Sequence, residues 1–149
     1  MTSRRVRIQK IAKLREKELE RQAQRLAQAH AAVAAAHARA DEEARKVELA
    51  NLEREQLLSS DFSGDRWRDA NEWLETRTIH HDEALSHLQR AHIVAERAQR
   101  AVLDARAALR RLEVLDERLA VSEARVLEQK ERKLHDELAA QKAARGRGR

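Results

Sequence analysis

The sequence has no cysteine, no proline, three glycines and 2% aromatic residues. Zero cysteine removes disulfides, thiolate metal sites and cysteine nucleophiles together, and is compatible with a reducing compartment. Strand-built and mixed domains need glycine, proline, asparagine and aspartate at turns with special backbone angles. Here Gly64 is the only glycine before Gly146, and asparagine occurs only as Asn51 and Asn71. A spherical core also draws on aromatics, and Phe62, Trp67 and Trp73 are the whole set. The longest apolar run, Ala31 to Ala36, is far too short to span a bilayer, and no apolar stretch follows the basic N-terminus as a secretory signal would require. The expectation is a soluble chain, not secreted by the usual route.

What is present points to helix. Of 149 residues, 31 are Lys or Arg and 26 are Asp or Glu, and Ala, Leu and Gln supply much of the rest. That is the composition of long helices and coiled coils. One cluster interrupts it: Ser59-Ser60-Asp61-Phe62-Ser63-Gly64-Asp65 favours turns and caps over helix interior. The sequence therefore predicts one helix from about Arg4 to Leu58, a turn over Ser59 to Gly64, and a second helix from about Asp65 to Ala144, capped by Ser63 or Asp65. Arg145-Gly146-Arg147-Gly148-Arg149 is expected to be a frayed, disordered tail.

Periodicity pairs the two helices. In the first, positions 19, 26, 33, 40 and 47 are Leu, Leu, Val, Ala and Val. In the second, positions 67, 74, 81, 88, 95, 102 and 109 are Trp, Leu, His, Leu, Ala, Val and Leu, and the row from 70 to 112 is apolar except at Arg77. A seven-residue repeat imposes a left-handed supercoil, and a short turn makes neighbouring helices antiparallel. The expected fold is all-α: a single long antiparallel two-helix coiled coil, an elongated monomer, with composition also compatible with a dimer of the same helices. Eleven of the 22 residues from Ala23 to Ala44 are alanine, which lets backbones approach closely while burying little area per residue.

Folding at Asp61 or Phe62 pairs residues whose numbers sum to about 123. At about 1.5 Å per residue the second helix is the longer by roughly 40 Å, leaving about 25 residues of overhang. Its apolar face carries Val121, Val126, Leu127, Leu134 and Leu138, and an amphipathic overhang without a mate is a candidate for partner binding. Residues 1–30 hold nine basic and three acidic side chains, residues 31–120 hold 14 and 18, and residues 121–149 hold eight and five. The hairpin brings the first and last blocks to one cationic end. Arg4, Arg5, Arg7, Lys10 and Lys13 lie near the start of the overhang, which adds Arg125, Lys130, Arg132 and Lys133. Interleaved acids and the lack of stacking aromatics disfavour nucleic acid as the partner, although the Arg-Gly tail is a weak RNA signal.

The seven histidines include His30 and His37 on the first helix and His80, His81, His87 and His92 on the second. The expected register sets His30 opposite His92 and His37 opposite His87, a spacing open to Zn²⁺ or to pH sensing, and equally to polar core residues that fix register. No phosphate loop, His-Glu-x-x-His or nucleophile elbow is present, so no catalytic residue, metal ligand or cofactor is named.

The stretch Arg111-Leu112-Glu113-Val114-Leu115-Asp116-Glu117-Arg118, followed by Glu128-Gln129-Lys130-Glu131-Arg132-Lys133-Leu134-His135-Asp136-Glu137-Leu138, resembles the C-terminal signature of the flagellar export protein FliJ and its virulence-secretion counterparts of the YscO type. Lys13-Leu14-Arg15-Glu16-Lys17-Glu18, the Arg66-Trp67 pair and the length are also similar. The resemblance implies a non-enzymatic cytoplasmic stalk, peripheral to the secretion apparatus at the inner membrane and not itself inserted. The implied partners are an export ATPase hexamer at the terminal end, the cytoplasmic domain of an export-gate membrane protein near the turn, and export chaperones. It assigns the cationic residues above with Leu134 and Leu138 to the ATPase, and Trp73 and Leu74 to the gate, with Arg77 and His80 standing where apolar residues would be expected. A coiled-coil scaffold or an export chaperone for secreted substrates is the alternative.

Overall fold

A computed structural model of the chain describes residues 1–60 and 63–148. It consists of α1, Ser3–Ser59, and α2, Gly64–Arg147, packed antiparallel, with no strand among the described residues. Asp61 and Phe62, about which the chain was expected to fold, lie outside the described residues. Their flanks are defined: Ser60 N–H donates to Gln56 O at 3.2 Å as α1 ends, and Trp67 N–H donates to Ser63 O at 2.9 Å as α2 begins. Ser63 thus stands at the N-cap position, with Asp65 in the first turn where the helix dipole favours a carboxylate.

The far end of α2 differs from expectation. The helix continues to Arg147, so the tail expected to be disordered from Arg145 is helical for three residues more. Arg145 and Arg147 occupy the last turn, where cations meet the carbonyl end of the dipole. One interior glycine, Gly146, costs only about 1 kcal/mol relative to alanine.

Two compact bodies divide the chain. The first joins residues 1–20 of α1 to residues 104–149 of α2, of which 104–148 are described. Arg5, Ile8, Ala12 and Leu19 face Ala105, Leu109, Leu112, Asp116, Leu119 and Glu123, all buried or half-buried. The second comprises residues 21–103. Its α2 rows are those legible in the sequence, Trp67 to Val102 and Ala70 to Ala98, every member sheltered. On α1 the row Leu26, Val33, Ala40, Val47 is joined by a second one, Gln22, Ala29, Ala36, Glu43, Ala50, Leu57. The second row was not evident beforehand because glutamine, glutamate and alanine carry little hydropathy signal.

Contacts confirm the register within each body. In the first, Thr2 meets Glu123 and Gln9 meets Asp116; in the second, Arg54 meets Asn71. Each of these pairs sums to 125, close to the expected 123.

Candidate functional site

The first body is closed by a clasp of charge and hydrogen bonds. Thr2 caps α1: its Oγ1 accepts from Arg5 N–H at 3.3 Å and its carbonyl from Val6 N–H at 3.1 Å. The first turn of α1 contains no acidic residue. Glu123 of α2 supplies one, its Oε1 accepting from Thr2 N–H at 2.9 Å and from the Thr2 hydroxyl at 2.6 Å. This completes the reciprocal pattern of a capping box, with the carboxylate coming from the opposite helix. Arg5 then spans two acids seven residues apart, Nε donating to Asp116 Oδ1 at 2.8 Å and Nη1 to Glu123 Oε2 at 3.4 Å, while Gln9 Nε2 donates to both Asp116 oxygens at 3.4 Å. The Arg5 hydrogen bond holds Asp116 below the usual carboxylate range, and the Thr2 hydroxyl does the same for Glu123.

Arg5 is therefore engaged inside the hairpin, whereas Arg4, Arg7, Lys10 and Lys13 are exposed on α1. Beyond Glu123 every described residue of α2 is exposed, including Arg125, Lys130, Arg132 and Lys133. Leu127, Leu134 and Leu138, spaced i, i+7, i+11, lie on one face of that segment and are about half-exposed. Where α1 begins, Thr2, Arg4, Leu119, Val126, Leu127 and Lys130 border an open groove of about 450 Å³. The seam stops being apolar here, since the positions that continue it are Lys130, Lys133, Glu137 and Ala140, three of the four charged.

In the second body Trp67 and Trp73 differ. Trp67 is half-buried on the seam under the Arg54 guanidinium, 5.5 Å from the ring centroid, and Arg54 also donates to Asn71 Oδ1 at 3.2 Å. Trp73 is 51% exposed and carries the Arg77 guanidinium 4.4 Å over its ring. Leu74, which the resemblance assigns to the gate together with Trp73, is half-buried in the seam row where the heptad repeat puts it. A shallow hollow beside Trp73 is lined by Lys46, Leu49, Ala50, Glu53 and Arg77. Beneath it Glu43 is buried, with Lys46 Nζ 3.1 Å from Oε1, and that hydrogen bond keeps the carboxylate below its ordinary value despite desolvation.

The histidines are not gathered. His30, His37, His87 and His92 are exposed, His37 Nδ1 lies 3.1 Å from Asp41 of its own helix, and only His81 stands in the seam. Buried Ala29 and Ala36 occupy the seam beside His30 and His37, which turns both imidazoles outward. Among the described residues no three His, Cys, Asp or Glu are arranged to hold a metal ion, and no helix is long and apolar enough to cross a membrane.

Comparison with curated proteins and with solved structures gives no match. The family model described as "Flagellar FliJ protein" matches residues 4–148, a span that contains the hairpin, most of the clasp and the exposed end of α2. The chain belongs to the FliJ family.

Proposed function

We propose that this protein is the non-enzymatic central stalk of a flagellar-type protein export apparatus, engaging the export ATPase hexamer with the exposed end of α2 and the cytoplasmic domain of the export gate with the surface around Trp73. Family membership supports a role in flagellar export. The observation that carries the ATPase half is the continuation of α2 past Glu123 as a wholly exposed helix, cationic and striped with leucine. A single rod cannot match six subunits of a ring by symmetry. Its contacts are few and largely electrostatic, which favours reversible engagement over tight burial. Arg4, Arg7, Lys10 and Lys13 join Arg125, Lys130, Arg132 and Lys133 as the contact set, with Leu134 and Leu138 as its apolar part, while Arg5 holds the clasp.

Such a rod raises hydrolysis without lending a catalytic group, because a ligand that binds the hexamer better than the monomer shifts the population toward the hexamer. The test is steady-state hydrolysis by the cognate ATPase with full-length protein and with a truncation lacking residues 128–149, which keeps Thr2, Arg5, Asp116 and Glu123. Stimulation by the full chain and its loss on truncation supports the stalk. Full stimulation by the truncation, or none by the intact chain, moves the weight to a coiled-coil scaffold or export chaperone.

A further inference from the structure

We propose that Arg77 is a two-position switch, exchanging between the face of the Trp73 ring and the seam, where it pairs with Glu43. The heptad rows place an acid and a base in opposing rows of the same seam. Glu43 falls between Ala36 and Ala50 on α1, and Arg77 between Ala70 and Ala84 on α2. Each brings a charge into a position flanked one heptad to either side by alanine.

Each charged group is left with one hydrogen bond unmade there. Glu43 is 8% exposed; Lys46 takes Oε1, and Oε2 is buried without a hydrogen-bond partner. Arg77 Nε is buried and equally without one. A buried donor and a buried acceptor of opposite charge, both unmade, are among the costliest arrangements in a protein interior. Rotation of the long Arg77 side chain relieves both at once.

What holds Arg77 back is Trp73, whose ring lies 4.4 Å from the guanidinium. Stacking on a half-exposed indole and a charge-assisted hydrogen bond in a sheltered seam are of comparable strength, so both positions are populated. The groups around the pair agree with this placement. Lys46 is fixed on its own helix by Glu42 and Glu43, and the positive charge of Arg77 acts on the Glu43 carboxylate.

The two positions present different surfaces. With Arg77 on the indole, one ring face is covered. With Arg77 in the seam, both faces are open and the two helices gain a cross-seam ion pair. A partner that grips the Trp73 ring therefore selects the paired state and tightens the hairpin beneath it. This last consequence rests on the proposed gate contact at Trp73; the exchange itself does not.

The test needs no partner, so its failure leaves the gate reading standing, and failure of gate binding leaves the switch standing. In a Trp67→Phe background, acrylamide quenching reports Trp73 alone and the Arg77 ¹⁵Nε resonance reports the guanidinium. Glu43→Ala removes the seam position, so Arg77 stays on the ring and the quenching constant falls by about a third. Arg77→Met uncovers the ring and raises quenching above the parent. Glu43→Gln, which keeps the shape of the side chain, shifts quenching in the same direction as Glu43→Ala by a smaller amount and covers the case in which the alanine variant does not fold. Unchanged quenching and an unchanged ¹⁵Nε shift in either folded Glu43 variant, judged by circular dichroism, would overturn the switch.

Discussion

Glu123 completes the N-cap of a helix to which it does not belong: its Oε1 accepts both the N–H and the hydroxyl of Thr2, 121 residues away in sequence. The start of α1 is thereby tied to one position along α2. Replacing Thr2 with alanine removes the cap and one of the two bonds to Glu123. The cap alone is worth about 1 kcal/mol. Hydrogen exchange at the amides of residues 3–9 is expected to accelerate about fivefold, with amides of residues 21–103 unaffected. Uniform acceleration along the whole chain would count against a local clasp.

The same contacts set a pH dependence. Asp116 and Glu123 have folded-state values below those of free carboxylates. Their contribution is therefore complete above about pH 5, where both carboxylates of the unfolded chain are ionised, and is lost as pH falls through the depressed folded values. Residues 1–20 should loosen from α2 on acidification below that range, followed by exchange or by amide chemical shifts. Glu123→Gln should flatten the response; a wild-type profile in that variant would show that other carboxylates carry it.

Charge at the exposed end of α2 should matter to ATPase stimulation and not to folding. Arg132→Glu combined with Lys133→Glu reverses two cations that form no ion pair among the described residues. Stimulation is expected to drop severalfold, and moderate salt should weaken the wild-type effect through screening. The melting temperature should stay within about 2 °C of the parent. Salt-independent stimulation would contradict an electrostatic contact.

The two tryptophans separate stability from binding. Trp67→Ala empties a half-buried seam position and should cost roughly 2 kcal/mol of stability. Trp73→Ala should leave helicity intact and weaken binding to the gate domain about tenfold or more, the range of an aromatic hot spot. If Trp73→Ala binds the gate normally and melts much earlier, Trp73 is a structural residue and the gate contact lies elsewhere.

Packing sets a further limit at Ala84, which is 2% exposed. Leucine there should cost about 1–3 kcal/mol by forcing the helices apart. Leucine at exposed Ala139 should be neutral in a parallel thermal melt.

Both helices and their register were legible because two rows on α2, apolar but for Arg77 and His81, recur at every heptad and one cluster of turn residues divides the chain. The overhang followed from counting residues on either side of that cluster. The clasp was harder to see. The row that begins at Trp67 ends, seven residues at a time, in Asp116 and Glu123, and those acids face the cationic start of α1. Extending the row by two heptads would have moved Arg5 from the free cations to the seam. His30 and His37 were expected to meet partners across the hairpin, yet both lie one residue past a seam row, a difference of about 100° around the helix. The Glu43–Arg77 layer was half visible: Arg77 broke its row openly, while Glu43 hid in a row of alanines and a glutamine.

Among the described residues the buried ones are Ile8, Ala29, Ala36, Ala40, Glu43, Ala50, Ala84, Ala95 and Val102, six of the nine being alanine. Little hydrocarbon is dehydrated when such a seam closes, so the heat capacity of unfolding per residue should be small and the stability curve flat with temperature. The chain then avoids a sharp optimum, and no deep core compels its ends to melt together with its middle. Opening of such a seam should proceed a heptad at a time, each heptad answering mainly to its neighbours.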